Sequence, residues 1–214
     1  MRRFFQILII IVILVAVYLL AVGLGLTKRL KRPKETKIMK VINDFEYERY
    51  DYDWTTNGYG KMEPSTENPV HGKRCAKVTF FIPSQFMATP SASVSWFPQM
   101  ILDTQSVTKL DVYDWTGFTN LCLDVLNPED KPVSYFILIS DSHTFRYDKS
   151  DALTPKKVTN IKIPLEELID KRMDLTNINS FKFWVDTTGN TLPAIVYLDY
   201  LRLEQDKTAQ PKKK

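Results

Sequence analysis

Residues 193–205 read PAIVYLDYLRLEQ and close the region of the chain that reads as folded. They alternate as a β-strand does, with successive side chains pointing to opposite faces. On that alternation Ile195, Tyr197, Asp199, Leu201 and Leu203 share one face. A carboxylate therefore falls within an apolar row. A bare buried carboxylate is costly, so Asp199 calls for a partner.

Moving back along the chain, the same kind of pattern recurs. KVINDFEYE (40–48) alternates from Val41. CAKVTFFIP (75–83) puts Ala76, Val78, Phe80 and Ile82 on one side. SASVSWFP (91–98) groups Ala92, Val94 and Trp96 opposite a row of serines. FTNLCLDVLNP (118–128) runs into the turn NPEDKP, and VSYFILISDS (133–142) follows as its hairpin partner. VTNIKIP (158–164) and INSFKFWVD (178–186) complete the set. PLEELIDKR (164–172) reads as a brief helix, with Pro164 at its first position and acids in the first turn. Many short strands and one short helix predict an all-β jelly-roll β-sandwich over residues 41–204.

The composition narrows the function. The 214 residues suffice for one domain with a sizeable core plus an appendage. Only seven glycines occur, and none forms a phosphate-cradling loop. The net charge of +4 collects after residue 27 and in the tail PKKK, so the middle of the chain is not basic and nucleic-acid binding is not indicated. Two cysteines, Cys75 and Cys122, cannot build a four-cysteine metal site. Both fall on the parity opposite the apolar rows of their strands, which reads as two unpaired thiols; export would allow a disulfide.

The N-terminus has its own character. After Arg2 and Arg3, an apolar run from Phe4 to Leu26 is interrupted only by Gln6. It is long enough to cross a bilayer core, which needs ~20 residues in a helix. It exceeds the ~7–15 apolar residues of a cleavable signal peptide and lacks a clear cleavage site. Residues 1–27 thus read as a transmembrane anchor or uncleaved signal segment, with an inefficiently cleaved signal peptide as the alternative, and 28–40 as a basic juxtamembrane linker suited to anionic headgroups. Residues 205–214 read as a basic disordered tail. A short basic N-tail suits a single-pass membrane protein with its domain outside the cytoplasm. Lys28, Arg29, Lys31, Arg32, Lys34 and Lys37 pull the other way under the positive-inside rule.

Several stretches, in order, resemble a known family: DFE (44–46), HGKRCAKVTF (71–80), DWTGFTNLCLDVLNPEDKPV (114–133), ISD (139–141), NIKIPLEEL (160–168), MDLTNINSFKFWV (173–185) and VYLDYLRLE (196–204). Together they resemble the galactose-binding-like jelly roll of carbohydrate-binding modules, nearest to the family 11 type. The resemblance implies a non-catalytic domain that binds glycan or polysaccharide. It also implies a structural calcium ion between the first and last strands, held by Glu46, Asp199 and carbonyls near Gly72 and Lys73. Calcium, a hard cation, takes carboxylate and carbonyl oxygens. The other partners open to Asp199 are a basic side chain such as Lys73, or solvent.

Sugar recognition asks for a flat apolar ring with donors and acceptors beside it. Lys182, Trp184 and Asp186 form such a row opposite Phe181, Phe183 and Val185; the other reading of Trp184 is that it packs under a loop or against the neighbouring sheet. Trp54 and Tyr59, in the aromatic loop YERYDYDWTTNGYG (47–60), are candidate rim residues, with Tyr50 and Tyr52 beside them, although aromatics in a long loop more often pin it down. Arg146 and Asp141 are candidate hydrogen-bonding groups, while Trp96 and Trp115 read as core. No serine sits in a nucleophile elbow and no acid pair stands out, so an enzyme is not expected. The same fold also serves protein-interaction and assembly roles, among them that of a mitochondrial complex I assembly factor, and this is the alternative function.

Overall fold

The computed structural model describes residues 38–46, 48, 54–56, 60–81, 100–103, 112–185 and 189–205. The chain divides into Met1–Thr36 and Lys37–Lys214, and the first of these lies outside the described residues. So do the apolar run, most of the linker, the tail and SASVSWFP with Trp96. Among the described residues no helix is long and apolar enough to cross a membrane.

The described elements run β1 (Ile38–Asn43), β2 (Thr55–Thr56), β3 (Gly60–Ser65), β4 (Cys75–Phe80), β5 (Met100–Asp103), β6 (Asn120–Asn127), β7 (Val133–Asp141), β8 (Arg146–Leu153), β9 (Lys157–Pro164), α1 (Leu165–Asp170), β10 (Ile178–Val185) and β11 (Ala194–Gln205). They form two antiparallel sheets. One has the order β3-β4-β11-β6-β9, with β1 also paired to β11; the other has the order β2-β5-β10-β7-β8. This is the expected jelly-roll β-sandwich. Strand β1 starts at Ile38, inside the segment read as linker, and Pro164 ends β9 as the N-cap of α1 rather than opening the helix.

The inward rows meet in a single core. Ala76, Val78 and Phe80 of β4 and Leu121, Leu123 and Val125 of β6 face Phe181, Phe183 and Val185 of β10 and Tyr135, Ile137 and Ile139 of β7. Phe183 touches Phe80 across the sandwich at 6.2 Å between ring centroids and stacks on Tyr135 at 5.7 Å. Trp115 is fully buried and its indole N–H donates to the Val112 carbonyl.

Two sequence expectations fail here for topological reasons. NPEDKP is not a hairpin turn. It carries the chain from one sheet to the other, and β7 pairs with β8 and β10 instead of β6. The alternation read through 195–203 also breaks. Asp199 pairs with Asp124 and Arg202 with Cys122, so Tyr200 and Leu201 together oppose Leu123. This is a β-bulge, and Tyr200 sits in the left-handed region with φ of 51°. Before the bulge the core row is Ala194, Val196 and Leu198; after it the row is Leu201 and Leu203. Asp199 therefore lies on the outer face with Ile195 and Tyr197, not in the core row.

Candidate functional site

On the five-stranded sheet, directly opposed residues share a face. The register places Trp184 beside Phe136 and Phe136 beside Ser150. The next row is Lys182, Leu138 and Asp148; the next is Ser180, Ser140 and Arg146. Nine side chains from three strands thus make a grid on the outward face. The Trp184 and Phe136 rings stack with centroids 5.5 Å apart and planes 14° from parallel. Phe136, Leu138 and Lys182 are half-buried, whereas Arg146, Asp148 and Ser150 are exposed.

Trp184 itself is only 9% exposed, so the face presents Phe136 and Leu138 more than the indole. Asp186 and Tyr59 lie outside the described residues, as do Tyr50 and Tyr52. Trp54 is not on a rim. It is 4% exposed, stacked on Phe45 at 5.6 Å and edge-on to Phe181 at 6.2 Å, because the loop aromatic plugs the core. Asp141 is a structural residue. Its Oδ1 accepts the amides of His143 and Phe145, and its Oδ2 accepts the amide of Asp174.

Phe136, Leu138 and Asp148 were missed in the sequence. Their signal was the alternation of VSYFILISD, which sends Phe136 and Leu138 to the face opposite Tyr135 and Ile137. Their proximity to Trp184 depends on register. Beyond the Trp184 row, Asn190 brackets Ser134: its Oδ1 accepts the Ser134 amide at 2.9 Å and its Nδ2 donates to the Ser134 carbonyl at 2.7 Å. This holds the 189–194 segment over a cleft of about 270 Å³, lined in part by Glu129, Asp130, Lys131 and Thr191.

The opposite sheet carries the residues expected to hold metal. Asp199 Oδ2 accepts the amides of Val70 at 2.7 Å and His71 at 2.8 Å. Glu46 Oε1 accepts the amides of Lys73 at 2.7 Å and Arg74 at 3.1 Å. Both carboxylates grip one short loop, and Gly72 is its pivot. Gly72 has φ of 60°, and a Cβ there would lie 1.9 Å from Glu46 Oε1. The Arg74 and Lys73 amides hold the Glu46 carboxyl below its ordinary range. Burial pushes the Asp199 carboxyl up, against the His71 and Val70 amides. Asp199 Oδ1 is fully buried and has no hydrogen-bond partner among the described residues.

Beside this loop runs a charged network. Arg202 Nη1 meets Asp124 Oδ2 at 2.8 Å and Arg202 Nε meets Glu204 Oε1 at 2.8 Å. His71 Nε2 lies 2.9 Å from the same Asp124 oxygen, and its ring packs on Tyr200 at 4.2 Å. Cys75 and Cys122 are both buried thiols outside any disulfide, pushed up to about 12 by burial.

Neither a family model nor a curated protein matches this chain. Its fold is nevertheless that of solved carbohydrate-binding modules. The family 11 module of a Clostridium thermocellum cellulosomal cellulase is similar with a TM-score of 0.51 at 13% identity, over 78% of this chain and 94% of the module. A family 11 module from Clostridium thermocellum in complex with a β-1,3-1,4-mixed-linked tetrasaccharide gives a TM-score of 0.50 at 13% identity, over 77% and 94%. An exo-β-agarase gives 0.60 at 12% identity over 78% of this chain, which spans only 25% of the agarase. At these identities the likeness establishes the jelly-roll fold.

Proposed function

We propose that this domain binds glycan or polysaccharide across the outward face of its five-stranded sheet, without catalysing a reaction. Residues 4–26 anchor it to a membrane as a single span, with the domain outside the cytoplasm. The observation that carries the binding reading is the grid: two stacked aromatic rings beside a row holding Lys182, Leu138 and Asp148. A sugar ring offers apolar C–H faces and a rim of hydroxyls. Flat rings take the first and charged side chains the second. The likeness to a module solved with a mixed-linked tetrasaccharide supports the same ligand class.

The covering of Trp184 favours a second reading, a protein-interaction or assembly domain with no sugar ligand. A glycan array with the chain from residue 38 onward separates the two. Phe136→Ala and Lys182→Ala should each weaken the bound glycan, Phe136→Ala by about 2 kcal/mol as a dominant aromatic contact. Phe136 is the cleaner probe because truncating the covered Trp184 would also cost stability. An array without a hit, in a folded sample, leaves the interaction reading.

Calcium belongs to this proposal as a structural ion. The buried Asp199 Oδ1, without a hydrogen-bond partner among the described residues, is the hard oxygen donor such a cation takes, and Glu46 grips the same loop. Among the described residues no three His, Cys, Asp or Glu side chains group around one point, so backbone oxygens of the 70–74 loop would complete the set. The ion would clip the first strand to the last and leave the opposite sheet free for ligand.

A further inference from the structure

We propose that the sugar chain lies along strands β7 and β8, parallel to them, as a single extended chain. The outward grid has one column from each of three strands, and exposure rises from column to column. On β10, Trp184 and Ser180 are buried and Lys182 is half-buried. On β7, Phe136 and Leu138 are half-buried. On β8, Arg146, Asp148 and Ser150 are exposed. The accessible part of the face is therefore a strip two strands wide, and β8 is the last strand of its sheet. Strands lie ~5 Å apart and rise ~3.4 Å per residue. Over the nine residues of β7 the strip is thus ~30 Å long, and it is one sugar chain wide.

The strip is also sorted by chemistry along its length. Phe136 and Leu138 follow one another on β7 as an apolar floor, and the Phe136 ring is braced by Trp184 at 5.5 Å. Polar side chains flank that floor on both sides. Lys182 stands beside Leu138 from β10, and Asp148 stands beside it from β8. The two charges sit two strands apart, ~10 Å between their backbones, and neither forms an ion pair with a described residue. Ser140, at the end of the floor, is already spent: its hydroxyl donates to Asn179. A chain laid along the floor rests its ring faces on Phe136 and Leu138. Its hydroxyls meet a donor on one flank and acceptors on the other. A chain turned across the strands would touch the floor with one ring only. Its neighbours would fall on the covered β10 column or beyond the edge of β8.

The proposal rests on the glycan reading and adds the direction of the ligand to it. It also narrows the ligand class. A strip one chain wide takes a lone chain, not the flat surface of a packed polymer, because Trp184, only 9% exposed, cannot meet such a surface.

The test uses the full chain in a detergent without sugar headgroups. Thr144→Cys and Thr154→Cys, exposed positions just beyond the two ends of β8, carry a fluorophore in separate samples; the two native thiols are buried. The labels stand roughly 30 Å apart. The probe is a β-1,3-1,4-mixed-linked tetrasaccharide with a nitroxide at its reducing end or, in a second preparation, at its non-reducing end. If the array shows no binding of it, the tightest linear tetrasaccharide on the array takes its place. A chain along the strands predicts strong quenching of one label and little of the other, and the two should exchange when the nitroxide changes ends. A bound probe that quenches both labels weakly or alike, or keeps quenching the same label from either end, overturns the direction and leaves the glycan reading standing. A folded chain that binds no glycan on the array refutes the glycan reading and this proposal with it, and leaves the strip to an extended peptide.

Discussion

Gly72 and Asp199 act on one loop from different directions. Gly72 lets the backbone turn through φ of 60° while Glu46 closes over it. Ala at 72 would be strained twice, by its conformation and by contact with the carboxylate. Gly117 also has a positive φ, 80°, but nothing lies within 4 Å of its missing Cβ. Gly117→Ala should therefore cost ~1–2 kcal/mol from backbone conformation alone. Gly72→Ala should cost more and also displace Glu46; chemical denaturation of both variants checks the order. Asp199 adds a pH signature. Burial raises its folded-state pKa above the ordinary Asp value. Its contribution to stability is then full below the unfolded pKa, about 3.9, and is lost as pH rises through the folded value. In chelator, the stability difference between the native chain and Asp199→Asn should shift against the native chain as pH rises. Calcium binds the ionised carboxylate, so it should reverse that trend and raise the melting temperature of the native chain alone. Calorimetry across pH, with chelator and then with calcium, reads both; melting curves identical with and without the ion would exclude the metal. The need of Asp199 for a partner was legible in the sequence. The partners of Oδ2 were not, because backbone amides are carried by nearly every residue and leave no mark in it.

At the scale of the element, β10 and β11 contrast. The row Phe181, Phe183, Val185 reads directly from the sequence because nothing interrupts its period of two. In β11 the bulge at Tyr200 reverses which residues face inward, and LDYLRL looks equally regular either way. The hydrophobic pattern of one strand cannot reveal a bulge that exists only against its neighbour. The consequence is electrostatic. The shift puts Arg202 outward between Asp124 and Glu204, all three nearly buried. Tyr200 covers the guanidinium, 4.8 Å from its ring centre. Arg202→Leu would take the shared guanidinium counter-charge from two buried carboxylates and should cost ~3–5 kcal/mol. Adding Asp124→Asn and Glu204→Gln should recover part of that loss, since the penalty lies in buried negative charge that has lost its guanidinium. Urea denaturation of the single and triple variants tests this, and a single variant as stable as the native chain would contradict it. Trp54 was legible only as one of two readings, rim or loop anchor: it comes from a polar loop with no period, and its packing against Phe45 and Phe181 decides for the anchor.

Over the whole molecule, the two ends of the sandwich differ in kind. Most of the large apolar side chains exposed among the described residues gather at one end, while Trp184, Phe136 and the cleft by Asn190 lie toward the other. On the proposed anchor reading, the side of the membrane that holds the domain is open to direct measurement. Ser150 is exposed on β8, in register with Phe136. Cys75 and Cys122 are buried thiols raised to about 12, so neither supplies much thiolate at neutral pH. A thiol introduced by Ser150→Cys is then the only reactive one among the described residues. With a membrane-impermeant maleimide on intact cells, the proposed placement predicts labelling before lysis, equal in extent to that after it. Labelling only after lysis puts the domain in the cytoplasm, as the basic residues after Leu26 would favour under the positive-inside rule. The anchor would survive that result. The glycan reading would lose its extracellular ligands, and the interaction reading would take its place.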